Sequence, residues 1–183
     1  MHNIEPFYNW QHFYLAEEDE HSPFFGTVHS EFEFSQTIYN YYIHPQWDEF
    51  GSSTLYLKIL FVDYETNSCI IELIGEWNDA LQNDSMLLKR NLIDLMIAKK
   101  IYKYVLICEN VLNFFADDAS YYEEWREDIC DNNGWISFLN ITQVMQEEIN
   151  TSQIPNYVFI NELDNWRTMK PEDIIEILES EIN

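Results

Sequence analysis

Two apolar stretches, residues 69–74 and 104–108, flank a segment of helical period, and few folds accommodate that order. Tyr104-Val105-Leu106-Ile107-Cys108 is a continuous apolar run, the pattern of a strand covered on both faces. Between the two runs Leu81, Leu88, Leu92, Leu95 and Met96 recur at helical spacing. Asn78, Asp79 and Asp84 are available as caps, and Lys99 and Lys100 complement the helix dipole at the far end. The spacing predicts a helix from residue 80 or 85 to 99, entered through a sharp turn at Gly75-Glu76-Trp77-Asn78-Asp79. Strand, helix and buried strand in this order imply a sheet flanked by helices.

The neighbouring segments extend the pattern. In residues 54–64, Leu55, Leu57, Ile59 and Phe61 alternate with Tyr56, Lys58, Leu60 and Val62, and Glu65-Thr66-Asn67-Ser68 supplies turn residues, so an antiparallel hairpin is expected with residues 69–74. Downstream, residues 120–130 read as an acidic, aromatic helix, 135–139 as a strand, 142–151 as a helix and 157–160 as a strand. A last helix starts at Pro171 and runs through Ile174, Ile175, Leu178 and Ile182. The expected fold class is α/β: a mixed, largely parallel sheet with an N-terminal antiparallel hairpin and flanking helices, plus an aromatic-rich N-terminal extension.

That extension has an unusual composition. Residues 1–57 hold no Lys or Arg, whereas all five histidines (His2, His12, His21, His29, His44) fall there, and the composition changes at Lys58. Fourteen aromatic residues lie between Phe7 and Phe50. Each large ring favours burial by about 1.5–3 kcal/mol, so residues 1–53 are expected as an acidic extension packed on a domain of residues 54–183. Within it, residues 7–16 suit a short helix or an irregular wrap, 31–34 and 38–43 suit strands, and 45–53 a loop.

A net charge of -24, from 33 acidic and 9 basic residues, disfavours nucleic acid and anionic membrane as partners and favours basic protein surfaces. Cys69, Cys108 and Cys130 form no CxxC pair and read as reduced thiols of a cytoplasmic protein. No leader pattern opens the chain, and no apolar run reaches the ~18 residues of a membrane helix. Gly26, Gly51, Gly75 and Gly134 are isolated, so no glycine-rich loop cradles a phosphate. GxSxG, HExxH, EF-hand and zinc spacings are also absent, and neither cofactor nor metal is expected. His12 and His21 flank Glu17-Glu18-Asp19-Glu20, with His29 and His44 able to approach, but the spacing matches no ligand motif.

Carboxylates do collect where α/β sheets usually bind ligands. Glu72, Glu76 and Asp79 lead out of the first apolar strand, and Asp117 and Asp118 follow the second. A close pair there can do acid–base work if burial separates the two pKa values, and helix capping is the competing role.

Ile70-Ile71-Glu72-Leu73-Ile74-Gly75-Glu76-Trp77-Asn78-Asp79-Ala80, a helix, and Val105-Leu106-Ile107-Cys108-Glu109-Asn110-Val111 together resemble STAS domains, the anti-sigma-factor antagonists and SpoIIAA-like proteins. The resemblance runs over residues 54–183 at the level of element order. It implies an apolar strand ending in a Gly-acid turn, and a second strand leading to an Asp-Ser phosphoacceptor loop before the next helix. The nearest counterpart of that loop is Ala116-Asp117-Asp118-Ala119-Ser120, where Asp118 stands in place of the serine, the glycine is missing, and Ser120 fits only with a register shift. Glu76, Asp79, Asp117, Asp118, Ser120 and His44 are the candidate binding residues. The expected function is a non-catalytic protein-interaction or regulatory module; Tyr121-Tyr122-Glu123-Glu124-Trp125 is a candidate interface face, with a helix packing these aromatics inward as the stronger reading. The alternative is a small-molecule-binding protein or enzyme with a pocket between extension and sheet, using His44 or His29 with Glu76, Asp79 or Asp117.

Overall fold

The structure, a computed structural model, describes residues 4–182. Five strands form one sheet in sequential order: β3 (Leu55–Asp63), β4 (Ser68–Asn78), β5 (Lys103–Phe115), β6 (Trp135–Leu139) and β7 (Phe159–Asn161). β3 runs antiparallel to β4, and β4 to β7 run parallel to one another. β1 (Thr37–Ile38) and β2 (Tyr41–Tyr42) make a separate small hairpin. The mixed, largely parallel α/β sheet expected from periodicity is the architecture of the chain.

Helices cover both faces. α1 (Asp84–Leu88), α2 (Asp94–Ala98), α3 (Ser120–Cys130) and α4 (Gln143–Thr151) pack Leu88, Met96, Tyr122, Trp125, Ile129, Met145 and Ile149 on one side. On the other, α5 (Pro171–Ile182) packs Ile174, Ile175 and Leu178 beside Trp10 of the extension and Trp166. Between α1 and α2 one turn, Lys89–Ile93, is a π-helix, so the predicted helix is one continuous rod with a widened centre. The widening leaves Lys89 buried, where it pairs with Asp94 and, at 2.7 Å, with Asp128.

The expected sharp exit at Gly75 does not occur. Gly75 has φ +119° and sits at a bulge: strand pairing slips between Gly75 and Glu76, and β4 continues to Asn78. β5 lengthens with it, Asn113, Phe114 and Phe115 pairing with Glu76, Trp77 and Asn78. A second bulge corrects the alternation expected in β3. The register passes from Ile59 to Phe61, so Leu60 and Phe61 both enter the α5-side core and Val62 turns to the other side.

The extension packs Trp10 on the α5 side and Ala16 and Phe50 on the other, without forming a strand of the main sheet. Residues 7–16 are irregular turns in which Trp10 is buried against Phe7 and Trp166, at ring distances of 5.1 and 5.5 Å, and its indole N–H donates to the Met169 carbonyl at 3.1 Å. Ile38, Ile43 and Trp47 bury against Tyr56 and Ile74. Residues 31–34 are not a strand but an exposed bend, having no neighbouring strand to supply a ladder. Residues 38–43 fold as parts of a two-strand hairpin rather than one strand, turning through Tyr39 at φ +53°.

Gly75→Ala tests the bulge. A Cβ there meets the Thr54 carbonyl oxygen at 2.1 Å and Ile38 Cδ1 at 2.8 Å, while one on Gly26, at φ +75°, meets nothing within 4 Å. Urea unfolding is expected to show a loss of about 2–4 kcal/mol for Gly75→Ala and about 1 kcal/mol for Gly26→Ala. Equal losses contradict a role for close backbone approach.

Candidate functional site

Asp79, Asp117, Asp118 and Ser120 converge with Asn83, Ser85 and Tyr121 on a polar cleft of about 170 Å³ at the carboxyl ends of β4 and β5. Asp79 is 4% exposed, and its carboxylate accepts bonds from Trp77 Nε1 at 2.9 Å, the Ser85 N–H at 2.7 Å and the Tyr122 hydroxyl at 2.8 Å. Burial pushes its pKa up, against those three bonds. Asp118 accepts the Ser120 N–H at 2.8 Å, and its bonds from Ser120 hold its pKa down. Asp79 and Asp118 therefore each accept a first-turn N–H, of α1 and α3 respectively, and no Lys, Arg or His lines the cleft with them.

Two predicted residues lie elsewhere. Because β4 continues as a strand past Gly75, Glu76 and Trp77 point to opposite faces; Glu76 accepts the Tyr39 hydroxyl at 2.6 Å and Asn113 Nδ2 at 2.7 Å. His44 lies against Phe34 with Nε2 3.4 Å from Glu5. His29 is likewise engaged away from Glu76, Asp79 and Asp117, so the proposed histidine–carboxylate pairings do not form. The α3 aromatics pack inward and do not form an interface face: Tyr122 packs on Trp77 and Phe138, and Trp125 on Tyr104. Among the described residues no group of three or more His, Cys, Asp or Glu side chains is placed to hold a metal ion.

The extension is fastened instead by a buried charge cluster. Lys58 pairs with Glu17 and, at 3.2 Å, with Asp48; His29 Nε2 lies 2.9 Å from Asp48 and 3.3 Å from Glu17. The backbone of Asp48 also exchanges both hydrogen bonds with Leu57, at 2.7 and 3.1 Å, which closes part of the exposed edge of β3. Bonds donated to Asp48 and Glu17 push His29 up to about 9, against burial and the Lys58 charge. Burial works to raise Glu17, but bonds from His29 and Lys58 outweigh it and hold the carboxyl down to about 2.

Beneath the start of the extension lies a cleft of about 410 Å³, lined by residues 4–9 with Glu72, Asn110 and Arg167. Glu72 is 2% exposed; Oε2 accepts the Phe7 N–H at 2.8 Å and Oε1 faces Asn110 Nδ2 at 3.4 Å. Burial pushes its pKa up to about 7, the Glu109 charge acting the same way and the Phe7 N–H and Arg167 opposing. Lys58 is its partner across the β3–β4 ladder but turns to Glu17 and Asp48. Arg167 is committed to Glu109 at 2.6 Å and lies over the Trp166 ring. A smaller cleft, about 80 Å³, continues along the same segment to Lys58 and Leu60. Glu72 was visible in sequence as a lone carboxylate inside an apolar strand. No pattern marked Asn110 or Arg167 as its neighbours in space.

No protein-family model and no curated protein matches the chain. Solved structures do resemble it. A protein assigned as an anti-sigma factor antagonist from Thermotoga maritima aligns at TM-score 0.45 and 14% identity, over 67% of this chain and 94% of that one. The phosphorylated form of the Bacillus cell fate determinant SpoIIAA aligns at TM-score 0.42 and 12% identity, over 67% and 98%.

Two pH dependences follow from the charges. His29 is raised from 6.5 to about 9, so its contribution to stability is complete below pH 6.5 and is lost as pH rises through 9. The stability gap between wild type and His29→Gln, measured by urea unfolding, is expected to shrink across that window; a constant gap contradicts the charged pairing. Glu72 is an acid raised from 4.5 to about 7, which costs nothing below pH 4.5 and most above pH 7. Glu72→Gln is expected to stabilise the protein above pH 7, on the order of 2 kcal/mol, and to leave it unchanged below pH 4.5.

Proposed function

We propose that the protein is a non-catalytic, cytoplasmic protein-interaction module that presents the β1–β2 hairpin and the segment before it to a basic partner. The observation that carries this reading is aromatic exposure. Phe32 is 84% exposed and Tyr39, Tyr41 and Tyr42 are 68%, 54% and 54% exposed, whereas Ile38 and Ile43 of the same stretch are buried. Leaving such rings in water forgoes about 1.5–3 kcal/mol each, and exposed aromatic clusters of this kind serve as interface anchors. Glu31 and Glu33 flank Phe32, and residues 1–57 offer no Lys or Arg, so the complementary surface is cationic. The Tyr39–Glu76 bond ties the hairpin to β4 and reduces the ordering cost of binding.

In this reading residues 1–53 are the presenting extension and residues 54–183 its support. Three free thiols, Cys130 among them exposed, suit a reducing compartment. Among the described residues no helix is long and apolar enough to cross a membrane. A second reading, a small-molecule-binding protein with its pocket between extension and sheet, is favoured by the clefts beneath residues 4–17.

The test compares affinity capture from native lysate by wild type, by Tyr39→Ser/Tyr41→Ser/Tyr42→Ser and by Val144→Ser, a loss of one exposed apolar side chain on α4. Proteins bound at low salt are expected to be released by high salt and to bind the triple variant at least about tenfold less, with Val144→Ser unaffected. Capture that is indifferent to both salt and the hairpin tyrosines contradicts the reading.

A further inference from the structure

We propose that the cleft beneath residues 4–9 is a binding site for an alkylammonium group, with Glu72 as its counter-ion and the aliphatic chain lying along Ile4, Pro6 and Phe7. Three features of the cleft carry this, independently of the hairpin surface. The first is a buried carboxyl left without a cation. Among the described residues Glu72 makes no ion pair, because both nearby cations are engaged elsewhere: Lys58 with Glu17 and Asp48, and Arg167 with Glu109. A carboxylate in a buried site with no cation of its own is costly to the fold, and an incoming cation removes that cost.

The second feature is the sign of the walls. Glu5 and Glu72 face the cleft against Arg167 alone, whose charge Glu109 neutralises at 2.6 Å, so the cavity attracts cations and repels carboxylates and phosphates. At about 410 Å³ the space falls within the range of small-ligand pockets, about 300–1,000 Å³, and its apolar side is supplied by the chain entering over it. A metal ion is the wrong cation, since the described residues assemble no three-ligand group.

The third feature chooses ammonium over guanidinium. Glu72 Oε2 accepts the Phe7 N–H at 2.8 Å, and Oε1, held only by Asn110 at 3.4 Å, is the less engaged of the two oxygens. A planar guanidinium needs both carboxylate oxygens for its two parallel bonds, whereas an ammonium needs separate acceptors around one point. Glu72 Oε1 and the Asn110 side-chain carbonyl after an amide turn supply two, and the Glu5 carboxylate, which also lies 3.4 Å from His44 Nε2, lines the same cleft.

Binding of this kind expels the proton that Glu72 holds near neutrality. The charged groups around that carboxyl are Lys58 on β3, Glu109 on β5, Arg167 after β7 and Glu5 on the covering segment, with the Phe7 N–H and Asn110 as its polar contacts. Engaged as they are, they leave Glu72 as the group whose ionisation the ligand controls.

The experiment titrates the full chain with n-butylammonium and, separately, with Nα-acetyl-lysine N-methylamide, by calorimetry well above and well below the Glu72 midpoint near 7. Saturable one-to-one binding is expected, weaker by about tenfold for each pH unit below the midpoint, absent for n-butanol, lost in Glu72→Gln and kept in Glu176→Gln, a surface acid on α5. Tighter binding of the lysine analogue assigns the site to a side chain of a partner protein, and tighter binding of butylammonium to a free amine; either supports the ammonium chemistry. In wild type the carbon-13 resonance of the Glu72 carboxyl is expected to move to its ionised position on addition of butylammonium, a readout that does not depend on the variant folding. No saturation, equal binding to Glu72→Gln, equal loss in Glu176→Gln, or an unmoved Glu72 resonance overturns the proposal.

Discussion

Lys58 is the cation on which the arrangement of the amino-terminal part depends. It is the first Lys or Arg in the chain, and Glu17 and Asp48, drawn from two separate turns of the acidic extension, both close on it, with His29 bridging them. Without that convergence a segment free of Lys and Arg has little means of laying its carboxylates against a sheet. With it, Asp48 reaches the backbone of Leu57 and caps part of an edge strand that otherwise presents unpaired N–H and C=O groups. Geometry rather than net energy is what such a cluster supplies: a buried ion pair gains little over apolar packing, but it fixes which carboxyl meets which strand position.

The same commitment has a cost one strand away. Cross-strand pairing sets Lys58 beside Glu72, and a lysine spent on Glu17 and Asp48 leaves Glu72 to share a single backbone N–H and a distant amide. The two faces of the sheet differ accordingly. On the helix-covered side Asp79 is saturated by Trp77, Ser85 and Tyr122 and does structural work, joining β4 to α1 and α3. On the extension-covered side a carboxyl is buried without full compensation, which is the ordinary physical mark of a group retained for something other than stability.

What the sequence displayed was what periodicity encodes. β3, β5 and β6, the helical rod through Leu88, Leu92 and Met96, and α5 follow from spacing that local chemistry alone enforces. Gly75 misled because a glycine at positive φ serves a turn and a bulge equally well, and only the presence of a lengthened β5 beside it decides between them. The aromatics of α3 carried a usable signal, since Tyr122, Trp125 and Ile129 fall three and four residues apart on one stripe and belong inside. Gathering of Asp79, Asp117, Asp118 and Ser120 followed from strand order; the exclusion of Glu76 followed from a strand continuing where a turn was expected. The His29, Asp48 and Arg167 contacts join residues far apart in sequence and have no local signature at all.

The anchors of the extension also impose an order in time. Trp10 needs Trp166, the Phe7 N–H needs Glu72, and Glu17 needs Lys58, so the first part of the segment to be synthesised has its fixed places only on parts made later. During translation Glu17 waits 41 residues for Lys58 and Phe7 waits 65 for Glu72, while Trp10 finds its place only when the Trp166–Met169 segment, 159 residues on at Met169, has emerged. The dense negative charge of the extension keeps its rings dispersed in the interval, so the composition that looks like a property of the finished surface also serves as the chain's own protection while it is being made.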